Sequence, residues 1–240
     1  MAEDALLFID ANIYLDLYER AYRPLVLSQL AELSTIIFST QQVVDEVRRR
    51  KNQVAANAIE KAFQQIAKTT IEKSIPEHLL SQMQFLDLTN WLTSVPKFNN
   101  MINSYKIDLK EQIDRQEDSV SRTLAPIFRN SKGHTSAEFE RARERRDRGN
   151  PPGKGATLGD QLNWEQLLGR FRGKTKIWII SRDGDYGTFS GDKGLLHQFL
   201  IDELCAISPA AEAHLFGNLA EGIQDFKNRS GVSPPEASAN

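Results

Sequence analysis

The chain has 240 residues, of which 40% are hydrophobic and 26% are charged, and its formal net charge is −2. This composition is typical of a globular protein with a sizeable core, and it lacks the strong positive charge of many nucleic-acid-binding proteins. A single cysteine excludes an internal disulfide, and the scattered histidines disfavour a zinc site. The sequence has neither an apolar run of membrane-spanning length nor a secretory signal, which predicts a cytoplasmic protein without membrane contact.

Short apolar strands alternate with helices in the first and last parts of the chain. Strands are predicted at residues 6–9, 36–38, 177–180 and 213–216. Helices are predicted over 11–30, from a cap at Ser39 or Thr40 onwards, over 158–171 and over 195–205. This alternation is typical of an α/β fold with a mainly parallel sheet.

A long, mostly helical segment, about 53–148, separates the two parts of that alternation. It ends in an arginine-rich stretch, and a loop rich in glycine and proline follows at 149–159. From Lys227 the chain has no apolar periodicity and is predicted to be disordered. We therefore expect a single domain over 1–226 with a helical insertion, and a disordered tail over 227–240.

Four acidic residues fall where an α/β fold builds a site. Asp10 follows the first strand directly, and Asp183 follows the third strand by three residues. Because ligands of open parallel sheets bind beyond the carboxyl ends of the strands, both carboxylates are expected at one crevice. Glu46 and Asp160 lie in the first turns of helices that follow β-strand or loop segments, near the same edge. Converging carboxylates repel one another without a cation, and oxygen ligands alone predict Mg²⁺ or Mn²⁺.

Each of these acids also has a purely structural explanation. Asp10 could cap the helix that follows it, and Asp160 completes a capping-box pattern. Asp183 and Asp185 could be turn residues, since aspartate is common in turns. Glu46 could be a surface acid ahead of an arginine run. The coincidence of four acids with four expected site positions favours a metal site.

An ordered set of motifs resembles the PIN-domain nucleases. The motifs are FIDANIYLDLY, STQQVVDEVRRR, GNPPGKGATLGDQLNWEQLL and IISRDGDYG. The third is similar to a bacterial family of PIN-like domains of unknown function, in which a Pro-Pro-Gly loop precedes Gly-Asp. The resemblance implies a PIN-like three-layer sandwich with a central, mainly parallel sheet. The long helical insertion is a departure from the small PIN toxins.

The resemblance also implies an activity and a set of residues that perform it. The activity is hydrolysis of phosphodiester bonds by a Mg²⁺- or Mn²⁺-dependent endoribonuclease acting on single-stranded or structured RNA. The implied catalytic and metal-binding residues are Asp10, Glu46, Asp160 and Asp183. The implied supporting residues are Asn12, Ser181 and Asp185, of which Asp185 is favoured as a turn residue rather than as an additional ligand.

Two basic clusters are expected to hold the phosphates that flank the cut. The candidate substrate-binding residues are Arg48, Arg49, Arg143, Arg145, Arg146 and Arg148. The second cluster has interleaved acids, so a solvated helix face with internal ion pairs is the alternative explanation. Tyr14, Trp164 and Tyr186 lie near the acids in sequence and could stack on bases, although core packing is favoured for Trp164.

Two other functions remain open. One is a non-catalytic PIN-like module that binds RNA or protein. The other is a different Mg²⁺-dependent phosphohydrolase, but enzymes of that class with an aspartyl nucleophile carry Asp-x-Asp after the first strand, where this chain has Asn12. The oligomeric state is also open, and a homo-oligomer or an inhibitory protein partner is suggested by analogy alone.

Overall fold

The structure is a computed structural model that describes residues 4–20, 24–68, 85–153 and 157–231. The chain divides into two compact units. The first unit comprises the residues up to Arg50 and those from Ser119 onwards. The second unit runs from Lys51 to Asp118.

Strands and helices alternate in the first unit. The strands are β1 (Ala5–Ile9), β2 (Ile37–Phe38), β3 (Lys176–Ile180), β4 (Gly187–Ser190), β5 (Lys193–Leu196) and β6 (Glu212–Phe216). The described helices of the whole chain are α1 (Ala11–Glu19), α2 (Pro24–Glu32), α3 (Gln41–Lys68), α4 (Phe85–Asp114), α5 (Ser119–Arg129), α6 (Ser136–Asp147), α7 (Gly159–Phe171), α8 (Gln198–Ile207) and α9 (Leu219–Arg229).

The strands form one sheet in the order β2-β1-β3-β6-β5-β4. The first four strands in this order are parallel, and β5 and β4 extend the sheet in antiparallel fashion. Ile180 of β3 pairs with Ile9 of β1 and with Phe216 of β6, so these strands end level with one another. The mainly parallel sheet with helices around it confirms the predicted α/β fold.

The two central strands form the middle of the core. All of β1 and the last four residues of β3 are buried. Burial without alternation is expected where helices cover both faces of a parallel sheet. On β3, Trp178 packs edge-on against Phe226 of α9 with ring centroids 5.2 Å apart, and its indole N–H donates to Asp225. The strands that precede Asp10 and Asp183 are thus fixed by packing where they approach these acids.

Two stretches differ from the sequence prediction. The predicted helix over 11–30 is two helices, since α1 ends at Glu19 and α2 begins at Pro24, a residue suited to a first helical turn. The predicted helix over 195–205 begins later, at Gln198, because the preceding residues form the β4–β5 hairpin. Gly191, with a φ of 66°, makes the turn of that hairpin. The hairpin strands are four residues long, which leaves little periodicity to detect.

A loop covers the sheet beyond the end of β2. Lys132 forms an isolated parallel bridge with Thr40. The backbone N–H of Lys132 donates to the carbonyl of Ser39 at 2.9 Å, and its carbonyl accepts from the N–H of Gln41 at 2.8 Å. Thr40, one of the two predicted caps, is the residue whose side chain accepts a hydrogen bond from the first turn of α3.

The second unit contains the later part of α3 and the helix α4. Lys106 and Lys110 of α4 both pair with Glu60 of α3, at 2.5 and 2.8 Å. The predicted insertion, about 53–148, is mainly helical where the structure describes it. Its part from Ser119 onwards belongs to the first unit, where α5 packs on α2 and α6 packs on α7. The compact extra unit is therefore shorter than the predicted insertion.

The last helix extends beyond the predicted start of the disordered tail. Helix α9 continues to Arg229, and Lys227 pairs with Glu32 of α2 at 2.5 Å. The remainder of the predicted tail, from residue 232, lies outside the described residues. Among the described helices, none combines the length and the apolar character that a membrane-spanning helix needs.

The packing of the hairpin leads to a first prediction. A Cβ atom added at Gly187 would lie 2.0 Å from the backbone carbonyl oxygen of Leu195, which belongs to the paired strand and has little freedom to move. We expect Gly187→Ala to lower the free energy of unfolding by about 1–3 kcal/mol, the usual effect of overpacking. Chemical denaturation measures this. Gly133→Ala is the control, because no atom lies within 4 Å of the Cβ position there. Equal stabilities of the two variants would contradict the hairpin geometry.

Candidate active site

Strands β1 and β3 end side by side, and an acid follows each of them. The backbone N–H of Asp10 donates to the carbonyl of Ile180 at 2.9 Å, so the strand pairing continues up to the acid. Asp10 is also the N-cap of α1, since its Oδ1 accepts from the N–H of Ala11 at 2.7 Å. Asp10 therefore caps α1, as the structural explanation predicts, and this role is compatible with a place in the site.

Asp10, Asn12 and Ser181 form one hydrogen-bonded cluster. The Oδ2 atom of Asp10 accepts from the amide of Asn12 and from the hydroxyl of Ser181, both at 2.7 Å. The hydroxyl oxygen of Ser181 accepts from the N–H of Asp183 at 3.0 Å, and Oδ1 of Asn12 accepts from the N–H of Arg182 at 3.3 Å. These bonds fix the carboxylate of Asp10 relative to the loop that carries Asp183.

Glu46 and Asp160 approach from helices α3 and α7. Asp160 lies in the first turn of α7, whose N-cap is Leu158 without a side-chain cap hydrogen bond. The capping-box explanation of Asp160 is therefore wrong. Helices α3 and α7 are tied together at this end, because the hydroxyl of Thr40 donates to Oδ1 of Asn163 at 2.6 Å.

The four predicted acids line one cavity of about 320 Å³. The acids are Asp10, Glu46, Asp160 and Asp183, and the other lining residues are Asn12, Gln42, Arg49, Arg50, Thr157 and Gly159. Gln42 is a lining residue that the sequence motifs do not predict. Its position one helical turn before Glu46 is the signal that could have indicated it.

A closer group of carboxylates includes Asp185. Oxygen atoms of Asp160, Asp183 and Asp185 all lie within 4.8 Å of one another, and all three residues are half-buried. The N–H of Asp185 also donates to Oδ1 of Asp183 at 2.9 Å, which is a turn-type hydrogen bond. The sequence favours a turn role for Asp185 over a ligand role, but here the turn itself brings its carboxylate into the group.

The donor set suits a hard divalent cation. The three close groups offer carboxylate oxygens only, and the described residues that line the cavity include neither histidine nor cysteine. Oxygen donors of this kind are typical for Mg²⁺ and Mn²⁺ rather than for zinc or copper. Asp160 and Asp183 belong to both the cavity lining and the close group, so they are the strongest candidates to hold a cation.

Burial and mutual repulsion change the protonation of two acids. Burial raises the pKa of Asp10 to about 6, against the opposing hydrogen bonds from Ser181 and Ala11. Burial also raises the pKa of Asp160 to about 7, and the charges of Asp10 and Asp183 add to the shift. Both values are well above the ordinary 3.8. A cation that binds here is therefore expected to displace protons.

The aromatic residues near the acids are core residues. Tyr14, Trp164 and Tyr186 are fully buried. The indole N–H of Trp164 donates to Glu203 at 2.8 Å, and its ring lies edge-on to that of Tyr186 with centroids 6.5 Å apart. The stacking hypothesis for these three residues is therefore wrong, because a base cannot reach their ring faces.

The first basic cluster lies beside the acids. Arg49 and Arg50 line the cavity, and Arg48 is exposed on the same helix, α3. Arg50 pairs with Glu46 at 2.7 Å. Within the described part of the chain, neither Arg48 nor Arg49 has an ion pair. Arg49 therefore adds a positive charge to the wall of the acidic cavity.

Three arginines of the second cluster pair with acids on their own helix or next to it. The pairs are Arg143 with Glu140, Arg146 with Asp147, and Arg148 with Glu144. These pairs match the alternative explanation, a solvated helix face with internal ion pairs. Exposed pairs of this kind contribute little to stability, and they reduce the charge available for a phosphate backbone.

Arg145 differs from its neighbours because it is buried. Its side chain is 6% exposed and donates to Glu165, to Glu203 and to the carbonyl of Pro151. A guanidinium held in this way is part of the core, so Arg145 does not belong to a substrate-binding surface.

The raised pKa values lead to a second prediction. Asp10 and Asp160 hold protons in the folded state at pH values where the unfolded chain has released them. These two groups should therefore lower the free energy of unfolding of the metal-free protein as the pH rises from about 4 to about 7, by at most about 1.4 kcal/mol per pH unit for each group. Denaturation in EDTA at several pH values measures this slope. Asp160→Asn should flatten it, and the exposed Asp202→Asn should not. Equal slopes in the parent and in Asp160→Asn would contradict the raised pKa of Asp160.

Comparison with known proteins agrees with this arrangement. A family profile described as the PIN domain matches residues 7–186, a range that includes Asp10, Glu46, Asp160 and Asp183. Searches of curated proteins and of solved structures find no match. Because the profile spans well over half of the 240 residues, the chain belongs to the PIN-domain family.

Proposed function

We propose that the protein is a metal-dependent nuclease that hydrolyses phosphodiester bonds. PIN domains are usually nucleases of this kind. The observation that carries the proposal is the cavity in which carboxylates from four separate segments meet beside Arg49. A packed domain gains nothing from converging like charges, and such clusters are typical of metal sites.

In this proposal the carboxylates divide into two groups by their contacts. Asp160, Asp183 and Asp185, whose oxygens lie within 4.8 Å, would hold a Mg²⁺ or Mn²⁺ ion. When bound, such an ion supplies activation of water and neutralisation of charge on the phosphate. Asp10 and Glu46 complete the negative wall of the cavity. No side chain needs to form a covalent bond with the substrate.

Asn12 and Ser181 would act by orientation. Together they donate two hydrogen bonds to Oδ2 of Asp10, and Ser181 also accepts from the N–H of Asp183. Supporting hydrogen bonds of this type keep carboxylates in one orientation and typically change metal affinity or activity about 10- to 100-fold. Their loss should therefore weaken the site without removing a ligand.

Arg49, with Arg48 beside it, is the proposed contact for the substrate backbone. Arg49 lines the cavity and has no ion pair with a described residue, whereas Arg50 is paired with Glu46. Arg143, Arg146 and Arg148 are each paired with an acid close to them in sequence. Contacts to phosphate position a nucleic acid and carry no sequence information. We therefore assign backbone binding to the start of α3, and we withdraw it from Arg143, Arg146 and Arg148.

RNA is the proposed substrate, cut internally in single-stranded or structured regions, because the family resemblance implies an endoribonuclease. We also propose that the chain belongs to the bacterial PIN-like group with a Pro-Pro-Gly loop, here Pro151 to Gly153. A cytoplasmic location, a homo-oligomer and an inhibitory protein partner are further proposals by analogy.

The third prediction tests catalysis. The purified protein with Mn²⁺ should cut single-stranded RNA. Asp160→Asn and Asp183→Asn should reduce the rate more than about 100-fold, beyond the loss typical of supporting residues. Asp202→Asn, an exposed acid on α8, is the matched control and should cut like the parent. If the parent binds Mn²⁺ and RNA but cuts neither RNA nor DNA, the protein is a binding module and not a nuclease.

The fourth prediction tests the assignment of the substrate-binding cation. Arg49→Gln should weaken RNA binding at low salt and reduce the slope of log Kd against log salt by about 1, as expected for the loss of one phosphate contact. Arg148→Gln, which removes a paired arginine of α6, is the control and should bind with the parent slope. The assignment fails if Arg148→Gln changes the slope and Arg49→Gln does not.

A further inference from the structure

Arg145 is a buried cation that contacts three separate segments of the chain. Its Nε donates to Oε1 of Glu165 at 2.9 Å, and Nη2 donates to the same oxygen at 2.8 Å. Nη2 also donates to Oε1 of Glu203 at 2.5 Å, and Nη1 donates to the carbonyl of Pro151 at 2.7 Å. One side chain of α6 therefore contacts α7, α8 and the loop between α6 and α7.

Both acids in this network have a second partner. Oε2 of Glu165 accepts from Arg141 at 2.8 Å, and Oε2 of Glu203 accepts from the indole of Trp164 at 2.8 Å. Glu165 and Trp164 are neighbours on α7, so the helix is held at adjacent positions by α6 on one side and by α8 on the other. We call the set Arg141, Arg145, Trp164, Glu165 and Glu203 the arginine network.

The network also fixes the loop that leads into α7. Arg145 holds the carbonyl of Pro151, and Gly153 packs against Gln161 in the first turns of α7. A Cβ atom at Gly153 would lie 2.4 Å from Nε2 of Gln161, and the φ of 93° at this glycine also disfavours any other residue. The described part of this loop is thus held at Pro151 by the network and at Gly153 by the helix that carries Asp160.

Stability alone does not account for this arrangement. A buried ion network loses solvation, and replacing one by apolar residues is often neutral or stabilising. Asp160, in contrast, lines one cavity together with Asp10, Asp183 and Glu46, and carboxylates placed together without a cation repel one another. The beginning of α7 therefore needs contacts that resist this repulsion, and the network lies one turn further along the same helix.

We propose that Arg145 is a positioning residue for the metal site. Through Glu165 and Pro151 it holds the beginning of α7 so that the carboxylate of Asp160 stays within reach of Asp183 and Asp185. The inference rests on the proposed function, because the site it serves is the proposed metal site. Arg145 itself touches neither the acids of the cavity nor a substrate.

The test removes the central ion pair of the network and measures metal binding directly. In Arg145→Met/Glu165→Leu the two buried charges disappear together, while the half-buried Glu203 keeps the indole of Trp164 as a partner and Arg141 is exposed. We expect this variant to keep a melting temperature near that of the parent and to bind Mn²⁺ at least about tenfold more weakly in calorimetry, a typical effect of lost supporting contacts. Arg145→Lys keeps the positive charge but loses the planar guanidinium that donates to several acceptors at once. Its affinity for Mn²⁺ should lie between that of the parent and that of the double variant.

A second measurement does not depend on metal. Hydrogen exchange of the metal-free protein should become faster at residues 157–163 in the double variant and in Arg145→Lys, while the protection of β1 and β3 stays at the parent level. Arg148→Gln, an exposed arginine at the end of the same helix, is the control for both measurements and should match the parent. The spectrum of bound Mn²⁺ in electron paramagnetic resonance should change in the double variant and not in the control.

The outcomes separate the two proposals. A parent that does not bind Mn²⁺ overturns the proposed function, and the exchange at residues 157–163 then decides on Arg145 alone. If the parent binds Mn²⁺, and the network variants bind it with equal affinity and show unchanged hydrogen exchange, the proposed role of Arg145 is wrong. If the double variant fails to fold, Arg145→Lys decides by the same two measurements.

Discussion

Repulsion between carboxylates is the force that the surrounding structure has to counteract. Asp10, Asp160 and Asp183 come from three separate segments, and burial together with like charge raises the pKa of the first two. The backbone pairing of β1 with β3 keeps Asp10 beside the loop of Asp183. The hydrogen bond from Thr40 to Asn163 keeps the beginnings of α3 and α7 together on the other side. The packed core thus compensates for the stability that the converging carboxylates cost, as is common at functional sites.

The residues of the site that can be predicted from the sequence are those whose place depends only on the strand or helix next to them. Asp10 and Asp183 follow short apolar runs, and the carboxyl ends of parallel strands share one edge of a sheet. Glu46 lies in the second turn of α3, which follows β2, and Asp160 lies in the first turn of α7, which leads into β3. A helix that follows or precedes a strand of a parallel sheet in this way begins at that same edge. These rules need only the order of elements and the position of each residue within its element.

The parts that do not follow depend on contacts between distant segments. Arg145 stands among exposed arginines in an alternating charged stretch, and nothing in that stretch distinguishes it from Arg146. It is buried because Glu165 and Glu203 come to it from other helices. Asp185 joins the carboxylate group through a turn whose direction depends on the β4–β5 hairpin behind it. Charge patterns along a helix therefore predict exposure on average and not for single residues.

The loop at Lys132 has a consequence for how copies of the protein could associate. Unpaired backbone groups at the edge of a sheet invite strand addition from another chain. Here Lys132 occupies the backbone groups of Ser39 and Gln41 beyond β2, and β2 itself is two residues long. The opposite edge, β4, is four residues long and begins at a buried glycine. Short edge strands disfavour the addition of a strand from another chain, so we expect copies of this protein to associate through helix and loop surfaces rather than through a continuous sheet.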